Sequence, residues 1–325
     1  VGQSLNIVYA DSTKGWLPVS DDAVAFDHGA PQTQKGIMAF GQTDANEGAN
    51  ISTSHLISSS GVVADDTTGV GTARRDVGAA SYGGDKAIFG YGIISSVTGI
   101  TNLVNNSGVV AADVSAVGTA RRDVAAVGYG VDLAMFAYGD SGSKTNLKNL
   151  VTNQGVVGAN VTGVGTARGD LAASRYGVGL GIFGYGNTGS KVSMTNLVTN
   201  VGVIGTDVSG VGTARQSLAA CTFGGDKAIF GFGKDGSNET SITNLVSNVG
   251  VVAANTTGVG AAREKLGACS FGGDKGIFAF GVDNGGGGRV STSNLVSNSG
   301  VVASDTTGVG SATNRLAAAG YSISA

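Results

Sequence analysis

The sequence predicts an all-β fold, a seven-bladed β-propeller of four-stranded antiparallel blades. Three observations carry that expectation. A segment close to "TNLVTNxGVVxADxTGVGTARxxLAAxxYGGDKAIFGYG" recurs along most of the chain, and its arginines, Arg74, Arg121, Arg168, Arg215 and Arg263, are spaced 47 or 48 residues apart. Thr313 continues the series. Periods of 20 to 50 residues mark solenoids, propellers or arrays. Each period holds four short apolar runs punctuated by turn residues, with no helical pattern of ten residues, which selects a blade over a solenoid turn. Finally, the two chain ends do not match the other units and are complementary to one another.

Each strand follows from its residues. In Arg215 to Gly233 two apolar runs flank Gly224, Gly225, Asp226 and Lys227, residues that accept the positive φ of a tight hairpin. The first run is "LAA" in most copies (Leu171, Ala172, Ala173; Leu218, Ala219, Ala220), small enough for an innermost strand crowded round an axis. The second carries bulk at both parities (Ile88, Phe89, Tyr91; Ile182, Phe183, Tyr185; Ile229, Phe230, Phe232), as expected where both faces of a sheet are buried. Gly90 and Gly184, between those aromatics, leave bare backbone for a neighbouring ring. Thr243 to Asn255 reads as strands three and four, and "TTGVG" (Thr256 to Gly260) links to the next unit.

The chain is read as one domain over 1–325. Repeat units fall at about 22–73, 74–120, 121–167, 168–214, 215–262 and 263–313, and residues 1–20 plus 314–325 are expected to form a closing blade. In that blade Asn314 to Ala325 supplies a first strand and Leu5 to Ser20 supplies two or three others, leaving no open sheet edge. Six blades with an appended hairpin is the alternative.

The unit, with "IFGYG" ending its hairpin and "TGVGTAR" leading into the next, resembles the kelch repeat over nearly the whole chain. It departs from that pattern in reducing the double glycine after the second strand to Gly92, Gly186 or Gly233, and in lacking a repeat tryptophan; Trp16, in the expected closing blade, is the sole one. The Gly/Ala/Val/Thr/Asn-rich texture and the "IVYADSTKGWLPVSDD" flank also resemble tail-fibre and virion-associated proteins of tailed bacteriophages. That resemblance implies a virion or extracellular location.

Chemistry is thinly supplied. Basic and acidic side chains number 20 and 23, so nucleic acid and anionic membrane surfaces are not expected partners. No apolar run approaches the roughly 18 residues of a membrane helix, so membrane insertion is not expected. His28 and His55 occupy non-equivalent places, His55 in the column of Asn102 and Asn196, and a kelch-type copper oxidase would need paired histidines. Cys221 and Cys269 share a column with Ala80, Val127, Ser174 and Ala319, the mark of small packing residues and of free thiols. "GVGTAR" is followed by a strand and by no Gly-Lys-Ser/Thr, so it is no phosphate loop. Asp66, Asp113, Asn160, Asp207, Asn255 and Asp305 offer too few oxygens for calcium and read as Asx turns. The repeated arginines read as ties between blades. No catalytic residue, metal or cofactor is expected.

What varies is the loop between strands two and three: residues 42–52, 93–100, 140–148, 187–194, 234–241 and 282–291. These loops are expected on the same face as the "TTGVG" links and opposite the uniform "GGDK" turns, as a scaffold presents a recognition surface. Asp44, Glu47, Asp140, Lys144, Lys191, Asp235, Asn238, Asp283 and Arg289 are the candidate contacts. The expected function is a non-enzymatic structural or recognition propeller of a phage virion, a tail-fibre or appendage component, whose partners are other virion proteins or a host surface glycan. The alternatives are a secreted bacterial surface lectin or adhesin and, as a minor one, an enzyme at the channel.

Overall fold

The computed structural model describes residues 7–11, 15–18, 32–43, 48–283, 285 and 288–325, with strand pairing alone for the first two stretches. The chain is all-β, built of many small antiparallel sheets, and no helix occurs among the described residues. Six of the sheets are three-stranded. Five follow the chain: Gly78–Tyr82 with Lys86–Gly90 and Thr101–Val104; Ala125–Tyr129 with Leu133–Ala137 and Lys148–Val151; Ala172–Tyr176 with Leu180–Gly184 and Thr195–Val198; Ala219–Phe223 with Lys227–Gly231 and Thr243–Val246; Gly267–Phe271 with Lys275–Ala279 and Ser293–Val296. The sixth joins Ala317–Tyr321 to Lys35–Ala39 and Ser54–Ile57.

Register follows the turns. Gly224 and Gly225 sit at φ of 60° and 79°, and the tight turn they make sets Phe223 opposite Lys227 and Ala219 opposite Gly231. The second strands are buried at four successive positions, both faces included, as their continuous bulk predicts. Their aromatics link consecutive sheets: Tyr91 meets Phe136 with centroids 5.0 Å apart, Tyr138 meets Phe183 at 5.3 Å, and Tyr185 meets Phe230 at 5.2 Å. The glycine gaps serve that packing, for a Cβ at Gly184 would lie 2.6 Å from the Phe230 ring and one at Gly90 2.7 Å from Phe136.

Small first strands bring the sheets together. Gly78–Tyr82 packs on Ala125–Tyr129, which packs on Ala172–Tyr176, then Ala219–Phe223, Gly267–Phe271 and Ala317–Tyr321, which packs on Gly78–Tyr82. Cys221 and Cys269 are free and buried in this layer, and burial pushes the Cys221 thiol up to about 12. The Cys221 sulfur occupies the space a Cβ at Gly276 would need, so it acts as filler between sheets.

Two expectations change. The C-terminal strand pairs with Lys35–Ala39, setting Ala317 opposite Ala39 and Tyr321 opposite Lys35, and among the described residues it makes no pairing with the 1–20 segment. The reason is complementarity: Lys35–Ala39 carries the bulky second-strand residues Ile37 and Met38, and Ala317–Tyr321 sets the small first-strand residues Ala319 and Ala318 opposite them. Ile7–Asp11 instead pairs with Gly15–Pro18. The start of the divergent hairpin at Asp22, His28 and the Trp16 side chain lie outside the described residues.

The fourth strand is also reduced. In the unit after Arg74 it touches the third strand at two bridges, Val104 with Val110 and Thr101 with Val114. One side advances three residues and the other four, so the extra residue bulges. Asn102 fills the break, its amide donating to the Ala111 carbonyl at 3.0 Å. The other five units repeat the two bridges.

Candidate functional site

The constant polar residues are consumed by ties between sheets. Arg74, Arg121, Arg168, Arg215 and Arg263 are fully buried. The Arg121 Nε donates to the Tyr138 carbonyl at 2.8 Å, Nη1 to the Thr119 carbonyl at 3.0 Å and Nη2 to Asn149 Oδ1 at 2.7 Å. Its guanidinium lies 4.3 Å from the centroid of Tyr91, a ring of the preceding unit, and its own carbonyl accepts from Gly92 N at 2.9 Å. All five arginines stack in this way at 4.1 to 4.5 Å. The reading of these residues as ties between units therefore holds.

At the seam between last and first units the tie is replaced. Thr313 stands where the arginine would be and His55 where the asparagine would be. The His55 imidazole crosses to the ring of Phe280, 4.5 Å away, the face an arginine would cover. His55 Nδ1 lies 3.3 Å from Asp66 Oδ1.

The Asp/Asn column does not form Asx turns. Asp113 accepts from Thr72 N and Oγ1 of the preceding unit, at 3.1 and 2.6 Å, and Asp207 bonds Thr166 in the same way. Asn160 accepts from Thr119 N and donates to Thr119 Oγ1. Asp and Asn interchange because the threonine hydroxyl donates to one and accepts from the other.

The variable loops share a face with the "TTGVG" links, against which they pack: Gly163 approaches Asn146, and Gly210 approaches Ser193. The "GGDK" turns instead meet the turns between strands three and four, through Asn106 to Asp85, Asn153 to Asp132 and Asn248 to Asp226. Seven of the nine expected contact residues are described; Asp44 and Glu47 are not. Asp140 pairs with Lys144 at 3.1 Å. Lys191 donates to the Gly236 carbonyl of the next loop. Asp235 and Asn238 face each other in a two-residue hairpin, with Asn238 exposed. Asp283 accepts from Gly285 N at 3.0 Å. Arg289 reaches across the seam to Asn314 Oδ1 and Gln42 Oε1, at 3.0 and 3.1 Å. These residues rim the face and do not converge on one point.

The convergent group on that face is one the sequence reading passed over. Two residues beyond each repeat arginine or its threonine stand Asp76, Asp123, Asp170, Ser217, Lys265 and Arg315, all with φ between 53° and 57°. Their backbones join in series: Asp123 N donates to the Asp76 carbonyl, Ser217 to Asp170, Lys265 to Ser217, Arg315 to Lys265 and Asp76 to Arg315. They line a cavity of about 140 Å³ bounded by the first strands of all six sheets. Residues held in this left-handed region are sparse, and they concentrate where a structure imposes a geometry.

The group is divided in charge. Arg315 Nη1 holds both Asp76 oxygens at 2.9 Å. Lys144, from the variable loop, lies 4.0 Å from Asp170. Asp123 has Arg122 at 3.5 Å, yet burial, reinforced by Asp170 and Asp76, raises its carboxyl to about 8, and burial raises Asp170 as well. Among the described residues no set of His, Cys, Asp or Glu is arranged to hold a metal. The chain matches no protein-family model and no curated protein sequence.

A pH effect follows. The Asp123 carboxyl binds its proton more tightly folded than unfolded, so its stabilising contribution is complete below about pH 4 and is lost as pH rises through about 8. Asp123→Asn is expected to remove that component. Urea unfolding of both proteins should show the variant's advantage growing from pH 5 to pH 9; a constant difference would show that the carboxyl is not perturbed.

Proposed function

We propose that the six sheets form a six-bladed, kelch-like β-propeller that serves as a non-enzymatic recognition or structural component of a bacteriophage virion. In this reading the variable loops meet a surface glycan or another virion protein. The observation that carries the reading is the partition of residues: the repeated Asp and Thr side chains bond between units, the Arg guanidinium stacks on a ring of the preceding unit and the Asn is held by that Arg, whereas the loops of one face vary and expose Asn238. A binding surface on a rigid scaffold has this division. The six-bladed count is supported by the cyclic packing of first strands and the pairing of the two chain ends. The virion assignment rests on the sequence texture described above.

Replacing residues 235–238 and 188–190 with Gly-Ser, while keeping Arg289 for its seam contacts, tests the loop face. Adsorption to the host surface, or incorporation into particles, should fall at least tenfold with an unchanged unfolding midpoint. Unchanged binding in a folded variant would sink the reading, and a glycan array with the purified chain separates a carbohydrate from a protein partner.

A further inference from the structure

A second cavity, of about 80 Å³, lies on the side of the "GGDK" turns and is also lined by first strands of all six sheets. Its column of inward residues is small in five units, Ser81, Gly128, Thr222, Ser270 and Gly320, and is Arg175 in the sixth. Arg175 takes the room its neighbour leaves: a Cβ at Gly128 would meet Arg175 Cδ at 3.3 Å and Nη1 at 3.5 Å. Nη2 donates to the Gly130 carbonyl at 2.7 Å, one bond for a group with five N–H donors. Among the described residues the one carboxylate in the lining, Asp132, accepts from Asn153 at 2.9 Å and forms no ion pair with Arg175, whose pKa burial alone pulls down to about 10. The contrast is with Arg315, held bidentate by Asp76 at the other cavity.

Arg175 is half-buried, and a cation partly withdrawn from water still costs stability unless something pairs with it. The walls around it are rich in hydroxyls that can reorient: Ser81 donates to the Gly320 carbonyl, Ser174 meets Thr222 at 3.4 Å and Thr33 meets Ser270 at 3.2 Å. A water needs about 10–15 Å³ of such space, so the cavity has room for a small polyatomic ion. We infer that this cavity is a binding site for a small oxyanion, a carboxylate or a tetrahedral oxyanion, gripped by the Arg175 fork and by the hydroxyls of Thr222 and Ser270. Planar guanidinium suits such ions because it presents two parallel N–H donors. The site lies on the face opposite the variable loops, so it stands independently of the function proposed above.

The test titrates the full chain with acetate, inorganic phosphate and sulfate at constant ionic strength in chloride, by calorimetry and by thermal unfolding. A saturable event with one site per chain, accompanied by a rise in unfolding temperature, is expected for at least one of the three. Acetate alone marks a carboxylate site, whereas phosphate or sulfate marks a tetrahedral one. Arg175→Gln should weaken that binding roughly tenfold or more, and in oxyanion-free buffer it should be at least as stable as the parent, having lost an unpaired, half-buried charge. Absence of saturable binding in the parent would overturn the inference whether or not the variant folds. So would an equal response in Arg175→Gln, or a variant destabilised without anion and indifferent to it, which would make Arg175 a packing residue.

Discussion

Replacing Arg121 by alanine is expected to lower the unfolding free energy by about 3–5 kcal/mol, since a buried polar partner is removed and those facing it are left unmatched. The loss strands Asn149 Oδ1 and the Tyr138 carbonyl, which accept from Arg121 at 2.7 and 2.8 Å. It also uncovers the Tyr91 ring between two units. Lysine should rescue little, because an ammonium cannot occupy three divergent acceptors while lying flat on a ring. Urea unfolding of the three proteins checks this. A loss under about 1 kcal/mol for alanine would mean that the arginines are incidental to the joining of units, since ordinary surface substitutions stay within about 0.5 kcal/mol.

The second large effect lies at the seam, where His55 and Thr313 replace the asparagine and arginine. The double change His55→Asn with Thr313→Arg should rebuild the tie over Phe280, and the two changes should couple favourably by about 0.5–3 kcal/mol. Thr313→Arg alone should destabilise, as its guanidinium would find the His55 ring already on Phe280 and no asparagine oxygen to receive it. The seam also carries a pH signature. Burial lowers the His55 pKa from 6.5 against the opposing pull of Asp66, so the unfolded chain takes up the proton more readily. Stability from this group is therefore present above pH 6.5 and is lost as pH falls from there toward the lowered folded value. Unfolding measured from pH 8 to pH 5 should show the parent losing stability relative to the double variant, the Asp123 contribution being common to both. Additive single effects, or an identical pH slope in both, would contradict the assignment of this pair as a substituted tie.

Much of the architecture was legible because it is written into single columns of the repeat. Alanine at 172 and 173 announced a crowded strand, Gly184 announced a ring lying on backbone, and the Cys221 column announced a filler thiol. The arginine column was legible as a tie because no ligand needs one group from five units. Features that depend on two units at once were harder to read. Asp113 looks local in sequence and acts on Thr72 of the preceding unit, 41 residues earlier. The fourth strand reads as regular because the pattern does not reveal that the Asn102 side chain replaces part of its ladder. The pairing of Ala317–Tyr321 with Lys35–Ala39 was obscured because Ile7–Asp11 and Gly15–Pro18 are also strands, and in sequence they are equal candidates for that partner.

The charged cavity was missed for a different reason. Asp76, Asp123, Asp170, Ser217, Lys265 and Arg315 form a column that changes sign along the chain, which in a linear reading is indistinguishable from surface drift. A shared left-handed backbone and a common cavity give the column its meaning, and both come from the packing of six first strands. Arg175 is similar. One arginine in a column of serine, threonine and glycine looks like an exposed exception until the column is seen to face inward. In both cases the signal available in the sequence was a polar, changeable position inside an otherwise constant motif.

Electron cryomicroscopy of the chain on the particle or surface that carries it is the most direct measurement of the central proposal. Six sheets round a common axis are expected, with Ala317–Tyr321 paired to Lys35–Ala39 and with the loops at 187–194 and 234–241 in contact with the partner. Seven sheets, or contact made through the Gly-Gly-Asp turns while those loops stand free, would contradict it.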